Sequence, residues 1–396
     1  MKKLALTDFT KYRYPSALEL SPDSRYLTFA LKEVDREGDG YRWNLWLYDL
    51  ESRESRQITR GDHQRQAVWE DNTHILYKTT ELDEAMRARG FEEEWTVYHR
   101  LNVCTGEECE AFRLPMSVSG LWKMDEGRYV FTGETHLDRP NLLELTGEAL
   151  EKELVRRQQT KGYKVLTELP LCENGVGMFN QTRITLFLYL EAAGEYRRIT
   201  PEDYDVNHVN VRPGQVLFTA FPFRDVKPVT EGMYRWDAER NETETLITPD
   251  KYSIDYVGHL GRKALCLGLV MRDYGVYEHP TFFVVDENGE VHRIGCPKGK
   301  VVNSVGAGDS MVAGFVAGYL QSRSYAQALR LGTACGSATA FSLGLATKEK
   351  IDELLALFFT NDGIALNNYR INVGASVKSN LSDGPTYEAD WRAVLS

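Results

Sequence analysis

From about residue 7 to residue 294 the chain alternates apolar and polar positions in short runs broken by polar turns. One unit recurs. An apolar-alternating strand is followed by a turn and a second strand, often ending Ile-Thr. The copies are Asn44–Leu50 with Arg56–Thr59, Thr96–Val103 turning at Thr105-Gly106, and Leu186–Leu190 with Arg198–Thr200. Two more are Met233–Asp237 with Leu246–Thr248, and Thr281–Asp286 with Val291–Ile294. Most copies are preceded by another strand pair around a polar turn: Leu18–Ala30 around Ser21–Ser24, Val209–Ala220 around Pro213-Gly214, and Tyr256–Gly268 around Gly261-Arg262. Period-two alternation with Asn, Asp, Gly and Pro at the turns is the hairpin signal. Two hairpins in roughly 45 residues make a four-stranded propeller blade. A blade cannot bury both faces alone, so blades stack around an axis. A β-sandwich has similar strand spacing, but the regular period favours a propeller.

The pattern therefore predicts a mainly β chain with an incomplete propeller of about five blades. An insertion between Glu134 and Lys164 stretches the third blade and carries a helical run, Gly147–Gln158. Near Gly295 the alternation stops and apolar positions take helical spacing. Helices are expected over Asp309–Leu320, over Tyr325–Phe341 after an N-cap at Ser324, and over Lys348–Phe359 after Thr347. Val301 and Val302 suggest a strand end. Residues 1–295, 296–359 and 360–396 then form a bladed unit, a small α-rich segment and an irregular tail punctuated by Gly363, Gly374, Gly384 and Pro385.

A net charge of −11 over 396 residues repels a phosphate backbone, so no nucleic-acid partner is expected. Cys104, Cys109, Cys172, Cys266, Cys296 and Cys335 include no C-x-x-C pair. Free thiols in a reducing cytosol are expected, although Cys104 and Cys109 flank a turn that a disulfide could close. The N-terminus lacks an apolar signal region, and no run is long enough to span a bilayer, which points to the cytoplasm and away from a membrane.

Ser21–Phe29, Val68–Leu76 and Tyr274–Phe283 resemble the propeller of the acylaminoacyl-peptidase branch of the prolyl oligopeptidase family. That resemblance implies a module that gates access of peptides to a separate α/β-hydrolase domain. The hydrolase itself has no counterpart. No G-x-S-x-G elbow occurs, and His292 is the last histidine, so a Ser-His-Asp mechanism after the propeller is excluded. Asp205, His208, Asp255 and His259 read as turn and surface residues.

Residues 298–315, KGKVVNSVGAGDSMVAGF, carry different chemistry. Gly306-Ala307-Gly308 lets backbone N–H groups approach an anion, and the positive end of a following helix points at the same place. Asp309 at the helix start could accept a proton from a hydroxyl attacking a phosphoryl group, and Ser310 could cap the helix or touch phosphate. The run Asn303–Phe315, continued by Gly336–Lys348, resembles the signature of ribokinase-like sugar kinases (the phosphofructokinase B family), of the 1-phosphofructokinase and tagatose-phosphate kinase type. The resemblance implies that residues 297–356 derive from an α/β fold, that Asp309 is the catalytic base, and that Gly306, Ala307 and Gly308 form the anion hole. It also implies that Ser304, Cys335, Gly336 and Ala338 lie near an adenine nucleotide, with ATP and Mg²⁺ as cofactors and a sugar phosphate as acceptor. The sugar-binding half of such a kinase has no counterpart in the preceding residues. Three readings stay open: a sugar-phosphate kinase fragment, a non-catalytic peptidase-type propeller, and a chimeric reading frame. The first requires a cleft beside the glycine turn.

Overall fold

In the computed structural model, residues 7–359 are described apart from 36, 39, 164, 171, 174–176, 179, 272–279, 287–288 and 294–298. The expected tail, Gly295 and Cys296 lie outside the described residues. The chain is mainly β. Five four-stranded antiparallel sheets follow one another, each a simple meander. Blade 1 comprises Tyr14–Leu20, Tyr26–Asp35, Gly40–Asp49 and Ser55–Gln57. Blade 2 comprises Ala67–Trp69, His74–Leu82, Glu94–Asn102 and Glu108–Leu114. Blade 3 comprises Val118–Asp125, Arg128–His136, Thr182–Leu190 and Glu195–Arg198. Blade 4 comprises Tyr204–Arg212, Gln215–Pro222, Gly232–Asp237 and Glu242–Ile247; blade 5 comprises Tyr252–Leu260, Lys263–Val270, Thr281–Val285 and Val291–Arg293.

Adjacent blades share apolar cores, and aromatic stacking orders them. Between blades 2 and 3, Phe112 stacks on Tyr189 with centroids 4.3 Å apart, and within blade 3 Phe131 stacks on Phe187 at 5.0 Å in the same core. Between blades 3 and 4, fully buried Trp236 and Phe218 meet Val130, Leu186 and Leu188. Side chains of this size each contribute roughly 1.5–3 kcal/mol by leaving water. Polar bonds cross the same seams. Arg100 of blade 2 pairs with its own Glu70 at 2.6 Å and with Glu191 of blade 3 at 2.6 Å.

The insertion in blade 3 folds as expected, with α2 at Gly147–Thr160. A short helix, α1 (Glu84–Ala88), is an addition to the expected elements; Asp83 caps it by accepting from Met86 N at 2.9 Å. Met86, Leu142 and Leu154 join the two helices in a small separate core, and Arg89 clamps Glu151 at 2.6 and 2.9 Å.

Beyond the blades lie α3 (Ala307–Ser322), α4 (Tyr325–Ala340) and α5 (Lys348–Phe359). Val301 and Val302 do not end a strand. Among the described residues they pair with no strand; Val302 N donates to Ala340 O at the end of α4, 2.8 Å away. Asp205, His208, Asp255 and His259 are also not turn residues. They lie on the first strands of blades 4 and 5. Asp205 is half-buried and accepts from Ile184 N and Lys227 Nζ, at 3.0 and 2.6 Å. It therefore ties blade 3 to blade 4. Cys104 and Cys109 are free and exposed, on opposite sides of their turn.

Candidate functional site

The glycine turn before α3 is built by the end of α4. Ala340 O accepts from both Val302 N (2.8 Å) and Asn303 N (3.1 Å). Asn303 Nδ2 donates to Leu343 O at 3.2 Å, and Asn303 Oδ1 accepts from Val305 N at 3.0 Å. The chain then reverses at Gly306, whose φ of 79° lies in the left-handed region that glycine enters without penalty. Ala307 N donates to Ser304 O at 3.2 Å, and Ser310 N closes the first helical turn onto Gly306 O at 2.9 Å. Among the described residues, the amides of Gly306, Gly308 and Asp309 donate to no protein acceptor. They sit at the positive end of a 16-residue helix whose N-cap provides no side-chain acceptor. Gly308 and Asp309 are exposed. Gly308 carries no steric load, since a Cβ there would meet nothing within 4 Å.

α3 and α4 cross with almost no side chain between them. Gly314 and Gly318 on α3, and Gly332 and Gly336 on α4, recur at four-residue spacing and so line one face of each helix. A Cβ at Gly332 would stand 2.8 Å from Met311 O; one at Gly318 would stand 2.8 Å from Ala328 Cα. This close approach sets the first turn of α3 against the end of α4. There, Thr339 Oγ1 donates to Ser310 Oγ at 3.0 Å and accepts from Ala346 N at 3.3 Å.

The structure brings Ser304, Gly306, Ala307, Gly308 and Asp309 together in one turn. Gly336 is adjacent but occupied by packing: a Cβ on it would lie 3.0 Å from Ala307 O. Cys335 packs on Gly314, and burial pushes its thiol up. Ala338 is fully buried with Leu354, Phe341 and Ile351, on the α5 side. Ser310 neither caps the helix nor points free; its hydroxyl is bonded to Thr339. Sequence reading passed over Asn303 and Thr339, which shape the turn, and the glycine pairs 314/318 and 332/336, whose spacing was visible.

Two recesses among the described residues lie in the bladed region. A recess of 690 Å³ lies between the outer strands of blades 4 and 5, lined by Leu246, Thr248, Lys251, Tyr252 and Val291 among others. Another, of 430 Å³, lies between blades 3 and 4 around Ile199, Tyr204 and Tyr234. Neither includes any residue of 303–310. Among the described residues no three or more His, Cys, Asp or Glu side chains gather as metal ligands. No helix among them is long and apolar enough to cross a membrane.

Comparison with known proteins places this segment. Over 68 residues the chain is 54% identical to the 1-phosphofructokinase of Bacillus subtilis (strain 168), covering 17% of this chain and 22% of that protein. Over 56 residues it is 50% identical to the D-tagatose-1-phosphate kinase of Bacillus licheniformis, covering 14% and 18% respectively. The chain thus spans about a fifth of the length of these curated relatives. Among solved structures it is similar to the acylaminoacyl peptidase of Pyrococcus horikoshii, at 12% identity and a TM-score of 0.44, over 74% of this chain and 47% of that one. A prolyl endopeptidase structure gives 11% identity and a TM-score of 0.45, over 72% and 36%. Residues 280–351 match the profile of the pfkB family carbohydrate kinases, so the matched stretch takes in the last two strands of blade 5 as well as the glycine turn and α3–α4.

Proposed function

We propose that residues 299–359 carry the phosphate end of an ATP site of the carbohydrate-kinase type, and that in this chain it is a half-site which binds the nucleotide phosphates without efficient transfer to a sugar phosphate. One observation carries the reading: three amides without an acceptor among the described residues lie together at a left-handed glycine turn on a helix start, within a stretch matched by the pfkB profile. Amides so placed stabilise negative charge as it develops on a transferring phosphoryl group. Asp309, exposed at the same helix start, is positioned to accept the proton of an attacking hydroxyl. Gly306 and Gly308, with the Asp309 amide, form the anion hole; of the expected trio, Ala307 gives only its place in the turn, because its amide donates to Ser304 O. Ser304 shapes it through its carbonyl. Cys335 and Gly336 act behind it by packing α4 on α3, and Ala338 by packing α4 on α5, rather than by touching nucleotide. Mg²⁺ would arrive with the nucleotide, held by phosphate oxygens as its preference for oxygen ligands requires, and would supply charge neutralisation; Asp309 would remain the proton acceptor.

Positioning supplies much of phosphoryl-transfer catalysis. Asp309 is exposed, and the described residues before 280 fold mainly as blades, with no sugar-binding half of a kinase among them. That exposure also favours a second reading, in which the bladed region is a non-catalytic binding module and the helical segment is inert. Calorimetric titration with Mg-ATP, alongside an ADP-release assay with fructose 1-phosphate, separates the two. Binding without turnover fits the half-site. Absence of binding leaves the module alone, and rapid turnover overturns the half-site.

A further inference from the structure

We propose that blade 5 of one copy of this chain packs against blade 1 of a second copy, so that the bladed region associates head to tail.

The five blades have four shared cores, joining blades 1–2, 2–3, 3–4 and 4–5. Among the described residues no core joins blade 5 to blade 1. The consequence is written along the second strands. In blade 4, Val216–Ala220 is buried at every position, and in blade 3 so is Tyr129–Gly133. In blade 5 the strand Lys263–Val270 alternates: Ala264 and Cys266 are buried while Leu265, Leu267 and Leu269 are half-exposed. In blade 1, Thr28 and Ala30 are buried while Leu27, Phe29 and Leu31 are half-exposed. An antiparallel sheet with one face in water carries polar residues on that face. These two carry leucine and phenylalanine there, as the doubly buried blades do.

The internal seams show what such faces accept. At each seam the later blade presents aromatic rings and the earlier one presents chiefly aliphatic chains. Tyr234 and Trp236 of blade 4 meet Leu186 and Leu188 of blade 3; Phe283 of blade 5 meets Leu217 and Met233 of blade 4. The two free faces keep these roles. Blade 1 offers Phe29 stacked on Trp46 at 6.4 Å, with Tyr48 beside them. Blade 5 offers chiefly aliphatic chains, Leu265, Leu267, Leu269 and Val284, with one ring, Phe282, paired to Leu267. Blade 5 is thus an earlier face lacking its later partner, and blade 1 is the reverse. Among the described residues the chain's own blade 1 shares no core with blade 5, whereas a second copy presents the matching surface. Such a contact is heterologous, so it closes into a ring or continues as a chain of copies.

The experiment is light scattering of the full chain and of two variants, Phe29→Asp at one free face and Leu267→Asp at the other. The unmodified chain is expected to grow in mass as concentration rises. Each variant alone should be monomeric. Their equimolar mixture should form dimers and stop, because each supplies the face the other has lost. Hydrogen exchange on the unmodified chain is the second measurement, with amides of Tyr26–Asp35 and Lys263–Val270 slowing as concentration rises. A monomer at every concentration overturns the proposal, including one whose two faces are equally protected at all concentrations, since the chain then closes on itself. Association that survives both substitutions, or a mixture that remains monomeric, overturns it too.

Discussion

Thr339 Oγ1 donates to Ser310 Oγ across 3.0 Å, joining the last turn of α4 to the first turn of α3. The same hydroxyl accepts from Ala346 N, so one buried threonine fixes both the glycine turn and the chain leaving α4. Thr339→Val keeps the shape and removes both bonds, leaving the half-buried Ala346 amide unpaired. The expected cost is about 1–3 kcal/mol of stability in the helical segment, read by denaturant unfolding, with weaker Mg-ATP binding in the surviving fold. Unchanged stability would show that the bond is idle.

The α3–α4 contact rests on glycine. Gly332→Ala places a methyl 2.8 Å from Met311 O, a backbone atom that cannot rotate away. The helices must separate, at roughly 1–3 kcal/mol. Gly308→Ala introduces the same methyl into open space and should leave thermal unfolding in place. The contrast tests packing against propensity, because both alanines favour the isolated helix.

Trp236 is about 1% exposed between blades 3 and 4 and tests whether the seams carry the stability of the bladed region. Trp236→Ala is expected to cost roughly 3–5 kcal/mol, read as a lower denaturation midpoint. A shift under 1 kcal/mol, a value like that of ordinary surface changes, would mean the blades are not held by this core.

Burial, with the Arg139 guanidinium next, pushes His136 down to about 4; burial, then Arg212, does the same to His259. The unfolded chain binds these protons near pH 6.5, and the folded chain only near pH 4. Between those values the unfolded state holds more protons, so stability falls as pH drops from about 6.5 to about 4. His259→Gln should flatten part of that slope in pH-dependent unfolding. An identical slope in the variant would remove His259 from the account.

The bladed architecture was legible because hairpin signals depend on local alternation and turn residues, which the repeats from Asn44 to Ile294 display. The helices were legible for the same reason, and Lys348–Phe359 was placed to the residue. Positions decided by tertiary partners were not. Val301 and Val302 look β-forming, yet they bond to Ala340. Asp205 looks like a turn residue, yet it sits on a strand because Lys227 and Ile184 N neutralise it there. At the candidate site the glycines announced the turn. Whether a wall faces Asp309 depends on residues distant in sequence, and no local pattern encodes it.

The most direct measurement is the amide spectrum of the full chain during titration with Mg-ATP. The account predicts progressive shifts at Gly306, Gly308 and Asp309, abolished by Gly308→Val, which puts a branched side chain on the turn at a position whose Cβ meets nothing of the fold. Signals at those three positions that stay fixed as Mg-ATP is raised, while the fold remains intact, would contradict it.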